Sequence, residues 1–278
     1  MSNPTGRLLQ AVRPLTGVWR GEQSLQVGVG PTAVILEPVP SDVFGVLGML
    51  SQPHSIDQLA ELCPELGRDW LEWVVDRLTE SGLVRPWRAE SVRPVVVWGS
   101  GPLAERVHAA LQRAELHPLP LGQRGWTGAG QPLIVLAGRT AEPDRWLTDR
   151  LLEAGRAALV VRAAPDHGTI GPFIEPPHTP CLRCLDLRRS DLDPQWPRLL
   201  AQLCRTPVSP DPRVREWLAG EAVAEVSRWQ AGEAPELAGR TLELSLPGFT
   251  RATTGWPADP DCRCRQPRHA ELLGTLAG

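Results

Sequence analysis

The hydrophobic pattern of the first 85 residues predicts short strands followed by three helices. Runs rich in β-branched residues alternate with turn residues, and after them apolar residues recur at the helical period. The predicted strands are 24–28 (SLQVG), 32–36 (TAVIL) and a weaker one near 17–20. Of the three predicted helices, the first begins near Ser41, the second begins at the capping box of Ser55 and Gln58, and the third covers 68–81. This is the element order of a winged-helix module.

From residue 95 onward the pattern changes to buried strands that alternate with helices. The predicted strands are 95–98, 133–137 and 157–161, with two more at 241–246 and 250–253. One predicted helix follows Gly101, and two others cover 145–155 and 213–230. Uniformly apolar strands separated by helices predict a parallel sheet covered on both faces, which is a Rossmann-type α/β domain. The polar segment 86–94, bracketed by prolines, predicts the boundary between domains 1–88 and 94–278.

Composition restricts the function further. The chain has 278 residues, 29 basic and 32 acidic, for a formal charge of −3, which argues against nucleic-acid binding through a basic surface. The third predicted helix also carries four acidic residues, so a DNA-binding winged helix is disfavoured. No stretch approaches the roughly 20 apolar residues that span a bilayer. The N-terminus does not resemble a secretory signal, so we expect a cytoplasmic protein with reduced thiols.

The cysteines form the strongest motif. Cys181 and Cys184 form a C-x-x-C, and Cys262 and Cys264 form a C-x-C about 80 residues later. Two close pairs far apart in sequence are typical of a tetrahedral Cys₄ zinc site, which would be structural because no coordination position stays open. A redox C-x-x-C at a helix N-terminus, a disulfide and unrelated buried thiols are the alternatives, and Cys204 is close enough to the first pair to substitute as a ligand.

A glycine-rich turn follows the strand at 95–98. Gly99-Ser100-Gly101-Pro102-Leu103-Ala104 has the placement of a dinucleotide-binding turn, where helix N-terminal amides hold phosphate. Pro102 removes one amide, and residues 118–123 lack the acidic residue that would bind a ribose. The turn is therefore open to two interpretations: a tight packing turn that binds nothing, or a nucleotide site. The chain has no lysine for a phosphate or a Schiff base.

The segment 181–197 (CLRCLDLRRSDLDPQWP) resembles the zinc knuckle of ThiF-like proteins associated with YcaO enzymes, also called Ocin-ThiF-like or cyclodehydratase partner proteins. The pattern from Trp19-Arg20 to the SGLV at 81–84 resembles their peptide-recognition module, and the likeness spans about 15–264. It implies a non-catalytic subunit that binds the leader of a ribosomally made precursor peptide and presents it to a YcaO cyclodehydratase. Related proteins often self-associate, so a homodimer is possible.

The resemblance also implies where the leader binds. A leader would add as a strand beside the third strand and the third helix, and the contacts would come from Val34, Leu36, Trp70, Val74 and Arg77. Trp70 and Val74 fit the core of a helix at least as well as a groove. The alternative function is an ATP-dependent adenylyltransferase that acts on a peptide or carrier-protein terminus. Pro102 and the missing lysine argue against ATP binding by this chain.

Overall fold

A computed structural model describes residues 6–87, 93–119 and 131–265 of the chain. The chain divides into two compact units between Ala89 and Glu90, within the predicted linker. Among the described residues, no helix is both long and apolar enough to cross a bilayer. We describe each unit by itself.

The first unit contains five short strands and three helices. They are β1 (Leu9–Ala11), β2 (Gly17–Gly21), β3 (Ser24–Val27), β4 (Val34–Leu36), α1 (Val43–Met49), α2 (Ile56–Leu62), α3 (Arg68–Glu80) and β5 (Val84–Pro86). β2, β3 and β4 form an antiparallel sheet in that order, and β1 pairs with β5. β4 is therefore an edge strand with one side unpaired by any other described strand.

Local sequence signals explain most of these helices. Ser55 caps α2 and forms the predicted capping box with Gln58. α1 begins after Asp42, one residue later than predicted, and the side chain of this N-cap accepts no hydrogen bond from the backbone of the helix. On α3 the apolar stripe of Leu71, Val74 and neighbours faces the core because these residues recur at the helical period.

The second unit is built on a six-stranded sheet. Its strands are β6 (Val95–Trp98), β7 (Leu133–Ala137), β8 (Ala158–Ala163), β9 (His167–Ile174), β10 (Arg240–Ser245) and β11 (Thr250–Gly255), and its helices are α4 (Pro102–Arg113), α5 (Arg145–Glu153), α6 (Leu182–Leu192), α7 (Trp196–Leu203) and α8 (Pro212–Gln230). The spatial order is β11-β10-β9-β8-β7-β6.

The prediction of a parallel sheet is correct for only half of these strands. β6, β7 and β8 are parallel, whereas β9, β10 and β11 pair antiparallel, so the sheet is mixed. The short turn between β8 and β9 allows only a hairpin, since a parallel connection needs a crossover of a dozen or more residues. The sequence pattern missed β9 because its eight residues include glycine and proline.

Each face of this sheet carries its own hydrophobic core. On one face the strands pack with α4 and α8, through residues such as Leu103, Leu111 and Leu218. On the other face Val96 and Leu136 pack with α6 and with the four motif cysteines. The cysteine motif is thus part of the core that covers one side of the sheet.

Gly99 determines the direction in which the backbone leaves β6. Its φ is +145°, and a Cβ at this position would lie 1.9 Å from the carbonyl oxygen of Ala137 at the end of β7. Only glycine allows this approach between the two backbones. The turn therefore fixes how α4 leaves the sheet, whether or not a ligand binds there.

We predict that Gly99→Ala lowers the free energy of unfolding by more than about 2 kcal/mol, because the new methyl group collides with backbone. Gly220→Ala is the matched control: Gly220 lies inside α8 with open space around it, so the same change should be neutral or slightly stabilising. Urea denaturation of both variants checks this. Equal stability of the two variants would contradict the steric argument.

Candidate functional site

The structure brings the four motif cysteines together. The Sγ atoms of Cys181, Cys184, Cys262 and Cys264 all lie within 4.8 Å of one another, and all four residues are buried. The Sγ–Sγ distances are 3.6 Å for Cys181–Cys262, 3.5 Å for Cys184–Cys264 and 4.0 Å for Cys181–Cys184. A tetrahedral ion with metal–sulfur bonds of about 2.3 Å separates its sulfurs by about 3.8 Å, so the cluster fits such an ion.

Local backbone structure places each pair. Cys181 is the N-cap of α6 and Cys184 lies in its first turn, so the C-x-x-C spacing puts both thiols on one side of the helix end. Cys262 follows a turn in which its amide donates to the carbonyl oxygen of Asp259. Trp256 anchors the same segment, because its indole N–H donates to Thr241 on β10 at 3.0 Å.

Three of these thiols have pKa values that are shifted in different directions. The thiol hydrogen bond between Cys181 and Cys184 raises the pKa of Cys181 and lowers that of Cys184 to about 5, and burial raises the pKa of Cys264 to about 12. Four thiolates would repel one another in this buried position unless a cation lay among them. The set of four sulfurs therefore suits a thiophilic metal ion.

The position of Cys181 and Cys184 at a helix N-terminus is also the one that a redox pair would need. A redox pair leaves the presence of Cys262 and Cys264 unexplained, whereas a metal ion uses all four. Cys204 lies outside the cluster and donates its thiol to the carbonyl oxygen of Pro143 at 3.3 Å.

A buried charge network holds α6 on the sheet. Glu142 accepts from Arg162 of β8 at 2.6 Å and from Arg145 of α5 at 2.9 Å, and Arg189 of α6 lies 3.3 Å from it. Arg145 also donates to Asp186 of α6 at 2.6 Å. Burial alone would raise the pKa of Glu142, but the three guanidinium groups outweigh it and keep that pKa below its usual value.

The glycine turn opens α4, as its sequence predicts. Gly101, with φ +87°, is the N-cap and Pro102 the first helical residue, and no side chain caps the helix. Residues 118–123 contain no acidic residue, and 120–123 lie outside the described residues.

The predicted groove residues divide into two groups. Leu36 and Val74 are fully buried and Val34 nearly so; all three belong to the core of the first unit, and in this structure their side chains are not surface contacts. Trp70 is half-buried and Arg77 exposed. The alternation of β4 places Leu36 inward and Ile35 outward, so Val34 and Leu36, which the resemblance implies as contacts, point their side chains into the core.

Two residues missed in the sequence lie at the surface beside this strand and helix. Ile35 of β4 is 45% exposed and Trp73 of α3 is 36% exposed. Trp70, Trp73 and Arg77 follow one another at helical spacing, and the rings of the two tryptophans lie 6.5 Å apart. The indole N–H of Trp70 donates to the carbonyl oxygen of Pro38, two residues after β4, at 3.2 Å. We call Trp70, Trp73 and Arg77 the β4–α3 surface, because the hydrogen bond of Trp70 joins α3 to the segment that follows β4.

Comparison with known proteins shows the fold. Neither the protein-family models nor the curated proteins give a match. Among solved structures, the heterocyclase TruD aligns over 93% of this chain and 42% of its own, with TM-score 0.62 and 16% identity. A heterocyclase in complex with substrate and cofactor gives TM-score 0.62 and 17% identity over 91% of this chain and 38% of its own. The chain thus spans about two fifths of these heterocyclases.

E. coli MccB aligns over nearly its whole length. The match covers 95% of this chain and 98% of MccB, with TM-score 0.58 and 13% identity. MccB has also been solved with MccA, at TM-score 0.57. The mixed α/β fold described here is therefore shared with both kinds of protein.

We predict that Glu142→Gln lowers the free energy of unfolding at pH 7 by about 3–5 kcal/mol, because it leaves buried arginines without their carboxylate. The folded-state pKa of Glu142 is lowered, so its stabilisation is present above the unfolded pKa of about 4.3 and is lost as pH falls through the folded pKa. The difference between wild type and variant should therefore stay constant from pH 7 down to the region of that unfolded pKa and shrink as the pH is lowered further, towards about pH 3.

Urea denaturation across that pH range measures the difference. Glu153→Gln is the control, since Glu153 is exposed and lies 3.8 Å from Arg150. A constant difference between wild type and Glu142→Gln at all pH values would show that the carboxylate charge is not what stabilises the network.

Proposed function

We propose that this protein binds the leader of a ribosomally made precursor peptide and presents it to a separate YcaO cyclodehydratase, which forms azoline-type rings. The observation that carries the proposal is the open β4 edge beside an exposed tryptophan pair in the first unit. The second unit supports it through its likeness to a heterocyclase and to MccB, a protein that has been solved with MccA.

The unpaired edge of β4 would supply the affinity for the leader peptide. A disordered leader can add to an edge strand, and its main-chain hydrogen bonds are then independent of its sequence. Val34 and Leu36 would contribute backbone groups, while their side chains stay in the core. This mode explains why a strand with two buried side chains can still be a binding element.

The β4–α3 surface would determine which leader sequences bind. Trp70 and Trp73 give a rigid apolar area, and aromatic side chains contribute strongly to peptide interfaces at low entropic cost. Among the described residues, Glu80 of the same helix is the ion-pair partner of Arg77, at 3.2 Å and in solvent, so an acidic leader residue can compete for it. We expect a leader with apolar residues next to an acidic one.

The YcaO partner is implied by the resemblance of 181–197 to the zinc knuckle of YcaO-associated proteins. The heterocyclases that this chain matches are more than twice as long as the part it covers. The catalytic machinery, the ATP and the ring chemistry would belong to that partner. A homodimer formed by the second unit is part of the same proposal.

We predict that Trp73→Ala weakens leader binding at least tenfold, because it removes exposed aromatic area from the β4–α3 surface. The measurement is fluorescence polarisation of the full chain with a labelled leader of the precursor encoded in the same gene cluster. Trp146→Ala is the control, since Trp146 is 71% exposed in the second unit and should leave binding unchanged. Absence of binding by the wild-type chain would refute the proposal.

Two further readouts separate this function from adenylation. Ring formation in the precursor should need both this protein and the YcaO enzyme, and should fall with Trp73→Ala in parallel with binding. An adenylyltransferase would instead exchange labelled pyrophosphate into ATP without any partner. Exchange by this chain alone would replace the leader-binding proposal with the adenylation alternative.

We also propose that the cysteine cluster holds one structural zinc ion, because four thiolates with no open position favour Zn²⁺. Cys184→Ser and Cys262→Ser should each lose the metal and much of the soluble yield, since metal binding is coupled to folding. Cys204→Ser should keep both. Elemental analysis of the purified chains measures this, and full zinc retention in either cluster variant would show that the ligand assignment is wrong.

A further inference from the structure

Three helices of the second unit leave large apolar side chains exposed to solvent. Trp146 of α5 is 71% exposed, Leu187 of α6 is 45% exposed and Leu199 of α7 is 42% exposed. Single exposed apolar residues are ordinary on a protein surface, whereas a group of them marks an interaction site. What matters is therefore whether these three side chains lie together.

Two ion pairs show that α5 and α6 lie side by side. Arg145 of α5 donates to Asp186 of α6 at 2.6 Å, and one turn further along α5, Asp149 accepts from Arg183 at 2.6 Å. The residue numbers rise along α5 while they fall along α6, so the two helices are antiparallel.

The three exposed residues lie around the first of these ion pairs. Trp146 and Leu187 each follow a paired residue by one position, and in antiparallel neighbours that step of about 100° turns both side chains to the same side. Trp196 of α7 donates its indole N–H to Asp186 at 3.1 Å, and Leu199 lies one helical turn later. We call Trp146, Leu187 and Leu199 the α5–α7 surface.

The sequence of α7 is that of a helix with one covered face. Its apolar residues recur at the helical period, at positions 196, 199, 200 and 203. Within the part of the chain that the structure describes, no residue of α7 is buried. Short helices gain most of their stability when such a stripe packs against something, so α7 fits a helix that a binding partner covers.

The charges around the surface favour a partner of a different kind over a second copy of this chain. Each carboxylate on the three helices belongs to an ion pair, namely Asp149, Glu153, Asp186 and Asp191. Arg198 of α7 and Arg205 after it are exposed and have no ion-pair partner among the described residues. A two-fold contact would place these arginines against their own copies, whereas acidic residues on another protein would pair with them.

We infer that the α5–α7 surface is where the YcaO cyclodehydratase docks, with acidic residues of the enzyme beside Arg198 and Arg205. The inference rests on the proposed function, which supplies the partner. The first unit would hold the leader and the second unit the enzyme, so mutation can separate the two contacts. A homodimer of the second unit would then form through a different face.

The test measures binding of the full chain to the YcaO enzyme of the same gene cluster by biolayer interferometry. Trp146→Ala and Leu199→Ser should each weaken this binding at least tenfold, because each removes a large apolar side chain from the interface. Phe249→Ala is the matched control and should bind the enzyme as wild type does. Phe249 is 54% exposed in the second unit but lies beside Arg213 of α8, on the opposite face of the sheet.

Arg198→Glu tests the charge of the surface. It should slow association with the YcaO enzyme several-fold at low salt, and the difference should shrink at about 0.5 M salt, where the charges are screened. Arg228→Glu makes the same change of charge on α8 and should leave the association rate unchanged. Equal rates for the two variants at low salt would contradict the charge argument.

Leader binding and the melting temperature are measured for every variant, and both should stay at the wild-type values. If Trp146→Ala and Leu199→Ser bind the YcaO enzyme as wild type does, the docking surface is wrong and the leader-binding proposal stands. The same holds if the wild-type chain binds the leader but not the enzyme. Variants that turn a dimer into a monomer and keep their affinity for the enzyme would assign the surface to a second copy instead.

Discussion

The second unit depends on four cysteine sulfurs that cannot all be ionised next to one another without a cation. They bring the start of α6 next to a segment about 80 residues later. A metal ion held by the four sulfurs would crosslink these distant parts of the chain, and its binding free energy would offset the entropy lost when the long loop closes. In that case folding of this face of the sheet and occupancy of the cluster would be one equilibrium.

The charge network around Glu142 complements the thiol cluster. The cluster fixes the first turn of α6, whereas Asp186 and Arg189, further along the helix, are held by Arg145 and Glu142. Hydrophobic burial of Leu182 and Leu185 is not directional and would allow the helix to slide or rotate. The cysteine cluster at its first turn and the ion pairs of Asp186 and Arg189 define its position, and through it the position of the cysteine pair.

The sequence alone predicts those structural features whose signal is local or chemically specific. The capping box of α2, the buried strand 133–137 and the pairing of a C-x-x-C with a C-x-C each depend on a few residues whose chemistry has one common use. Strand direction in β9–β11 depends on connections that periodicity does not encode. Val34 and Leu36 were implied as contacts by the resemblance, which carries over strand positions but not the direction in which each side chain of this strand points.

The shortness of β4 has a physical reason if the strand is a binding edge. An exposed edge also pairs with other copies of the chain, and proteins limit this risk by keeping such strands short. Three residues give too few main-chain hydrogen bonds for tight pairing with an arbitrary strand. Trp70 and Trp73 would then decide which peptide gains enough contact area to offset the entropy that it loses on ordering. In that case a short edge beside two tryptophans would favour one class of peptide over self-association.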